Sequence, residues 1–169
     1  MARIVAPKNL CAFLDTIALS ELGEEILADP AADDGYKIIV GSLPGHLVTF
    51  DSYADHPRRL MHFARPGLKP STAAGRYQLL AHYFDDYKAL LHLPDFSPES
   101  QDLIAVQQIK EAHALAPIAA GDLATAVALC THLWASFPGN NYGQHQNKMA
   151  ALKTDYCAAG GVCADGSTA

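Results

Sequence analysis

Glu21 is the residue in this chain best placed to do acid chemistry. Leu10, Phe13, Leu14 and Ile17 recur at helical spacing and form one apolar stripe, and Glu21 comes next on it, four residues after Ile17. A carboxyl at the end of a buried face loses solvation of its charged form, so its pKa rises. An acid still protonated near neutral pH is what general acid catalysis needs. The competing reading makes Glu21 the start of a solvated acidic run with Glu24 and Glu25, past a helix end at Gly23. Two other stretches carry residue types that bind ligands. In STAAGRYQLL, residues 71–80, Ala73, Ala74 and Gly75 would let a ligand approach the backbone at a helix start. Gln78 follows Tyr77 there and could hydrogen-bond an amide or hydroxyl; an incidental Gln on a capped helix is the plainer alternative. In PGNNYGQH, residues 138–145, tight turns present amides beside Tyr142, a combination that can hold a sugar. An ordinary surface turn competes with that reading.

Other chemistries find less support. The eight histidines show no H-E-x-x-H spacing, and no C-x-x-C marks a structural zinc site, so no metal is expected. There is no G-x-S-x-G, G-x-G-x-x-G or Walker-type loop, and no organic cofactor is expected. Cys11 and Cys130 sit in helical apolar patterns and read as inert. Cys157 and Cys163 flank Gly160-Gly161; they could close a disulfide, but two thiols are favoured.

The net charge of −6 argues against a nucleic-acid partner, since phosphate binding needs clustered Lys and Arg and the densest pair is Arg58-Arg59. No apolar run is long enough to insert into a membrane. The first ten residues lack the apolar core of a secretory signal, so synthesis in the cytoplasm is expected. The 169 residues fit one domain, 1–169, with a frayed tail from 162.

The elements that must position these residues read as follows. Asn9 is the expected N-cap of the first helix. ILADPAADDG, residues 26–35, reads as a loop. Residues 36–40 and 47–50 are short β-rich runs around GSLPGH, a hairpin candidate. Residues 51–70 are irregular. From Ser71 the pattern is helical: one helix capped at Ser71 or Thr72 and carrying Tyr77, Leu80, Phe84 and Tyr87; one opening at Ser97-Pro98 and carrying Leu103, Ile104, Val106 and Ile109; one opening at Gly121-Asp122 and carrying Leu123, Val127, Cys130 and Trp134; and a last one from about 144 to 157. The fold class is therefore α+β, a mainly helical lobe with a small β-hairpin lobe and a cleft between them.

In series, AFLDTIALSE (12–21), GYKIIVGS (35–42), YADHPRRL (53–60), STAAGRYQLL (71–80), DFSPESQDLIAVQQIKE (95–111) and WASFPGNNYGQ (134–144) resemble the lambda-type phage endolysins, which are peptidoglycan lytic transglycosylases of the lysozyme superfamily. The resemblance implies a lysozyme-like fold with the active site between its lobes. It puts the catalytic acid on Glu21 and the wall of a sugar cleft on Gly75, Tyr77 and Gln78. It puts one lip of that cleft on Tyr142 and Gln144 and the other near Phe50 and Tyr53. It implies peptidoglycan glycan strands as the partner, a monomeric enzyme, and action on the cell wall after release across the inner membrane. The chain departs from the family pattern after Glu21, where the family has Gly and this chain has Leu22-Gly23, and at Lys37, where the family has an acidic residue. A hydrolytic lysozyme would need a second carboxylate, with Asp29, Asp33, Asp34 and Asp51 as candidates. A glycan-binding module without activity is the third class.

Overall fold

In a computed structural model, residues 1–64, 67, 69–139 and 146–164 are described. Their helices are α1 (Lys8–Leu22), α2 (Glu24–Ala28), α3 (Ala81–Leu91), α4 (Pro98–Glu111), α5 (Leu115–Ala120), α6 (Leu123–Cys130) and α7 (Met149–Ala158). Among the described residues no helix is long and apolar enough to cross a membrane. The chain divides into two units: residues 1–21 with 105–169, and residues 22–104. One boundary falls at the end of α1 and the other inside α4.

The first unit is organised on α1. Phe13, Leu14 and Ile17 are fully buried, as the stripe requires. Ala12 to Ala18 is in fact buried all round, and its polar members are satisfied: Thr16 donates to the Ala12 carbonyl at 2.8 Å, and Asp15 accepts the Ala2 N–H at 2.7 Å. Phe137 packs edge-on against Phe13 and Trp134, with centroids 6.0 and 5.9 Å away. Asn9 is not the cap. The helix starts at Lys8, two residues earlier than an Asn9 cap would set it, and the Pro7 carbonyl takes the Leu10 and Cys11 N–H groups. Asn9 instead donates to the carbonyls of Ile118 and Val162 and accepts the Val162 N–H at 3.0 Å. With the Ala164 N–H on the Gly121 carbonyl, this ties down residues 162–164, which were expected to fray. Asp122 caps α6 as expected, accepting the Thr125 N–H at 3.1 Å. That helix ends at Cys130, before Trp134, and α7 begins later than its pattern suggested. Cys130 is buried, its thiol pushed up to about 12 by desolvation. The Cys157 and Cys163 sulfurs are 3.9 Å apart as thiols.

The second unit corrects two expectations. The predicted hairpin does not form strands. Ile38–Thr49 and Leu43–His46 are isolated antiparallel bridges. The reason lies in Ser42, whose hydroxyl accepts the Val48 N–H at 2.9 Å and lies 2.8 Å from the Ile39 carbonyl. A side chain thus occupies places a ladder would use. Residues 36–40 also divide their bonds between two neighbours: Ile39 N–H goes to Val48, Val40 N–H to Ala73, and the Ile38 carbonyl takes the Gly75 N–H. The second correction is that residues 71–80 are not helical. Ala74 and Leu79 exchange both backbone bonds across a tight turn, with Gly75 at φ 77° and Gln78 at φ 50°. These angles are incompatible with a helix. The helix starts only at Ala81, whose N–H goes to Thr72 Oγ1 at 3.1 Å. The expected loop 26–35 also contains the end of α2 and a 3-10 turn at Pro30–Ala32, capped by the Asp29 side chain.

The core of this unit gathers Ile39, Phe50, Leu79, Phe84, Phe96 and Ile104. His56 is buried among the rings of Phe84 and Phe96. One of its nitrogens faces the Leu79 carbonyl at 3.0 Å, and the other accepts the Arg58 N–H at 3.0 Å. That pairing needs a neutral ring, and burial holds the pKa below the usual imidazole value. A depressed folded-state pKa adds stability above the unfolded value, near 6.5, that is lost as pH falls toward the folded value. Urea midpoints should therefore fall between pH 7 and pH 5, and His56→Gln should flatten that slope. An equal slope in the variant would assign the acid sensitivity to other groups.

Candidate active site

Glu21 sits in the last turn of α1, half-buried, with its carboxyl against an irregular segment after α6. Trp134 and Phe137 are both buried and anchor that segment, and Ser136 lies between them. The Ser136 hydroxyl donates to Glu21 Oε1 at 2.6 Å, and the Ser136 N–H approaches the same oxygen at 3.3 Å. Desolvation raises the Glu21 pKa, and the two Ser136 donors partly oppose it. No charged side chain among the described residues contributes. Glu24 and Glu25 are exposed in α2, so the acidic run is solvated while Glu21 is half-buried. The carboxyl thus holds its proton to higher pH than an ordinary glutamate, and one oxygen, Oε2, has no hydrogen bond among the described residues.

The other expected residues fall in the second unit or outside the description. Tyr77 is buried and donates to Asp102 at 2.6 Å; Tyr36 donates to the same oxygen at 2.8 Å. Gly75 packs against Gln101 and Phe96, so its small size serves this packing. Gln78 is half-buried and its Nε2 donates to the Gly75 carbonyl at 2.9 Å. Phe50 is buried, stacked edge-on with Tyr53 at 5.6 Å. The Tyr53 hydroxyl donates to Asp33, and the Lys37 ammonium lies 5.6 Å from the Tyr53 ring centre. Tyr142 and Gln144 lie outside the described residues. Among those described, no group of three or more His, Cys, Asp or Glu is placed to hold a metal ion. The sequence reading missed Ser136, Ser20 and Asn147 around Glu21. The only local signal was a serine between two aromatic residues in WASFPG.

The family model for Endolysin matches residues 11–163. The chain belongs to the endolysin family. It is 47% identical over 151 residues to the endolysin of Escherichia phage lambda, covering 89% of this chain and 90% of that one. It is 43% identical over 160 residues to the endolysin of Escherichia phage P2, covering 92% and 94%. The structure is similar to that of bacteriophage lambda lysozyme complexed with a chitohexasaccharide, with a TM-score of 0.84, 42% identity, and 95% and 99% of the two chains covered. A second lambda lysozyme structure matches with a TM-score of 0.81. This endolysin is accordingly a cell-wall-degrading enzyme with a lysozyme-like, mainly helical fold.

Proposed function

We propose that Glu21 is the acid, and then the base, of a lytic transglycosylation that cuts peptidoglycan between N-acetylmuramic acid and N-acetylglucosamine. The observation that carries this reading is the Glu21 carboxyl itself, with its raised pKa and one oxygen open. Protonated Glu21 gives its proton to the glycosidic oxygen as the bond to the muramic anomeric carbon breaks. The resulting carboxylate then takes the proton of the same residue's C6 hydroxyl as that oxygen attacks the anomeric carbon. A 1,6-anhydro ring closes, Glu21 is protonated again, and no water is consumed. One carboxylate suffices because the nucleophile is held within the reacting sugar.

Two further observations support the reading. The acidic residues a two-carboxylate hydrolase could recruit are largely engaged: Asp29 caps a turn, Asp33 accepts from Tyr53, and Asp34 pairs with Arg76 at 2.7 Å. The lambda lysozyme complex holds a chitohexasaccharide, which supports a glycan as ligand. We further propose Phe50, Tyr53, Gly75, Tyr77, Gln78, Tyr142 and Gln144 as glycan-site residues. Gln78 is the contact candidate, with Gly75 and Tyr77 shaping the turn that presents it. The enzyme would act as a monomer, at the wall, after leaving the host cytoplasm.

Mass spectrometry of digested peptidoglycan tests the chemistry. Transglycosylation leaves anhydro-muramic ends, each one water lighter than the hydrolytic product, and these are the expected main species. Polymers of N-acetylglucosamine alone are expected to bind without cleavage. Reducing muramic ends as the dominant species would make this enzyme a hydrolase that recruits a second carboxylate.

A further inference from the structure

A directed chain of hydrogen bonds ends on Glu21. Asn147 Nδ2 donates to Ser20 Oγ at 2.9 Å and to the Ser20 carbonyl at 3.2 Å. Ser20 Oγ donates to Ser136 Oγ at 2.7 Å, and Ser136 Oγ donates to Glu21 Oε1 at 2.6 Å. The Asn147 N–H closes the ring on the Ser136 carbonyl at 2.8 Å. An amide nitrogen can only donate, and the Ser20 carbonyl can only accept, so the Asn147 end sets the direction. Ser20 accepts there and keeps its one proton for Ser136. Ser136 in turn keeps its proton for Glu21.

We propose that Ser136, held by Ser20 and Asn147, is a positioning residue that fixes Oε2 as the Glu21 oxygen that carries and delivers the proton. The proposal rests on the reading of Glu21 as the acid. Oε1 already faces an O–H and an N–H, so a proton placed there would meet two hydrogens. Oε2 accepts no hydrogen bond among the described residues, and the proton resides there. Without the chain, the proton would divide between the two oxygens and the carboxyl would turn about its last bond. The same donors stabilise the carboxylate left after proton transfer. Burial and Ser136 set the proton affinity between them. The charged groups nearest in sequence do not enter: Asp15 is held by the Ala2 N–H, while Glu24, Glu25, His132 and Lys148 are exposed.

The test uses the full chain with Ser136→Ala, Ser136→Thr and Asn147→Ala. Two quantities are followed: the carbon-13 NMR titration of the Glu21 carboxyl, and the pH dependence of kcat and KM on soluble peptidoglycan strands. Ser136→Ala should move the carboxyl titration and the descending limb of kcat/KM to higher pH. It should also lower kcat about tenfold with KM little changed, as expected for a lost bond to a charged group. Ser136→Thr should restore both quantities, and Asn147→Ala should shift both the same way by less. Asn147→Ala also carries the test if Ser136→Ala does not fold. A carboxyl titration and rate limb unmoved in a folded Ser136→Ala or Asn147→Ala would overturn the proposal and leave the acid assignment standing. A fully active Glu21→Gln would overturn the acid assignment instead, whatever the titration shows.

Discussion

Glu21→Gln is expected to lose lytic activity by at least about a thousandfold while the protein becomes slightly more stable at neutral pH. The activity loss follows from chemistry: an amide keeps the shape and the acceptor facing Ser136 but has no proton to give, and general acid catalysis is worth about 10² to 10⁴ in rate. The stability gain follows from linkage. The folded-state pKa of Glu21 lies above its ordinary value of 4.5. Its favourable contribution is therefore complete below that value and is lost as pH rises through the folded value. Above it, wild type carries an ionised, half-buried carboxyl that the amide avoids. Thermal midpoints measured from pH 4 to pH 8 should coincide at the acid end and separate upward, the variant being higher. Substantial turnover in the variant would move the acid elsewhere. A variant less stable at pH 8 would contradict the desolvation argument.

Gly75→Ala is expected to be the most damaging single-methyl change in the second unit. At φ 77° an L-residue costs about 1–2 kcal/mol. The added Cβ would also collide with the Gln101 carboxamide and touch Phe96. Gln101 cannot withdraw freely. Its Oε1 accepts the Arg76 N–H at 2.9 Å, and its Nε2 donates to the Phe96 and Tyr36 carbonyls at 2.9 and 3.1 Å. Displacing it leaves buried backbone groups unsatisfied, for a further ~2 kcal/mol. A total of about 3–4 kcal/mol corresponds to a fall of roughly 10 °C in the thermal midpoint of a protein this size. Gly75→Ala combined with Gln101→Ala should lose less than the sum of the two single changes, because the clash is gone. A near-neutral Gly75→Ala would mean that the turn tolerates a side chain and faces open space.

How far each part was legible depends on how local its cause is. The α1 stripe was readable because Phe13, Leu14 and Ile17 obey the helical period and their burial follows it. The same period misled at Tyr77 and Leu80, which precede the helix, and held at Phe84, which is buried in α3. Tyr77 is buried because its hydroxyl meets Asp102, in a turn whose positive φ angles no spacing reveals. Asn9 has the chemistry of a cap, but its partners Ile118 and Val162 lie more than a hundred residues on. Ser136 was invisible for the same reason: its role exists only through Glu21, 115 positions earlier. The place of Glu21 next on the apolar stripe is a local property and could be read, whereas the Ser136 segment its carboxyl meets could not.

The division of the chain into residues 22–104 and the two flanking pieces has a consequence for the order of assembly. The middle unit is continuous, and the core around Phe84 and Phe96 is drawn from its own residues, so that core does not wait for later ones. The unit carrying Glu21 does. Glu21 is translated near the beginning, while Ser136 and Asn147 come 115 and 126 residues later, and the segment at Val162 that clasps Asn9 comes later still. Nascent chains short of these residues hold Glu21 without its bonds to Ser136. With Glu21 as the proposed acid, competence to cut the wall would arrive late in translation, and loss of the contacts at residues 162–164 should loosen α1 at its Asn9 end.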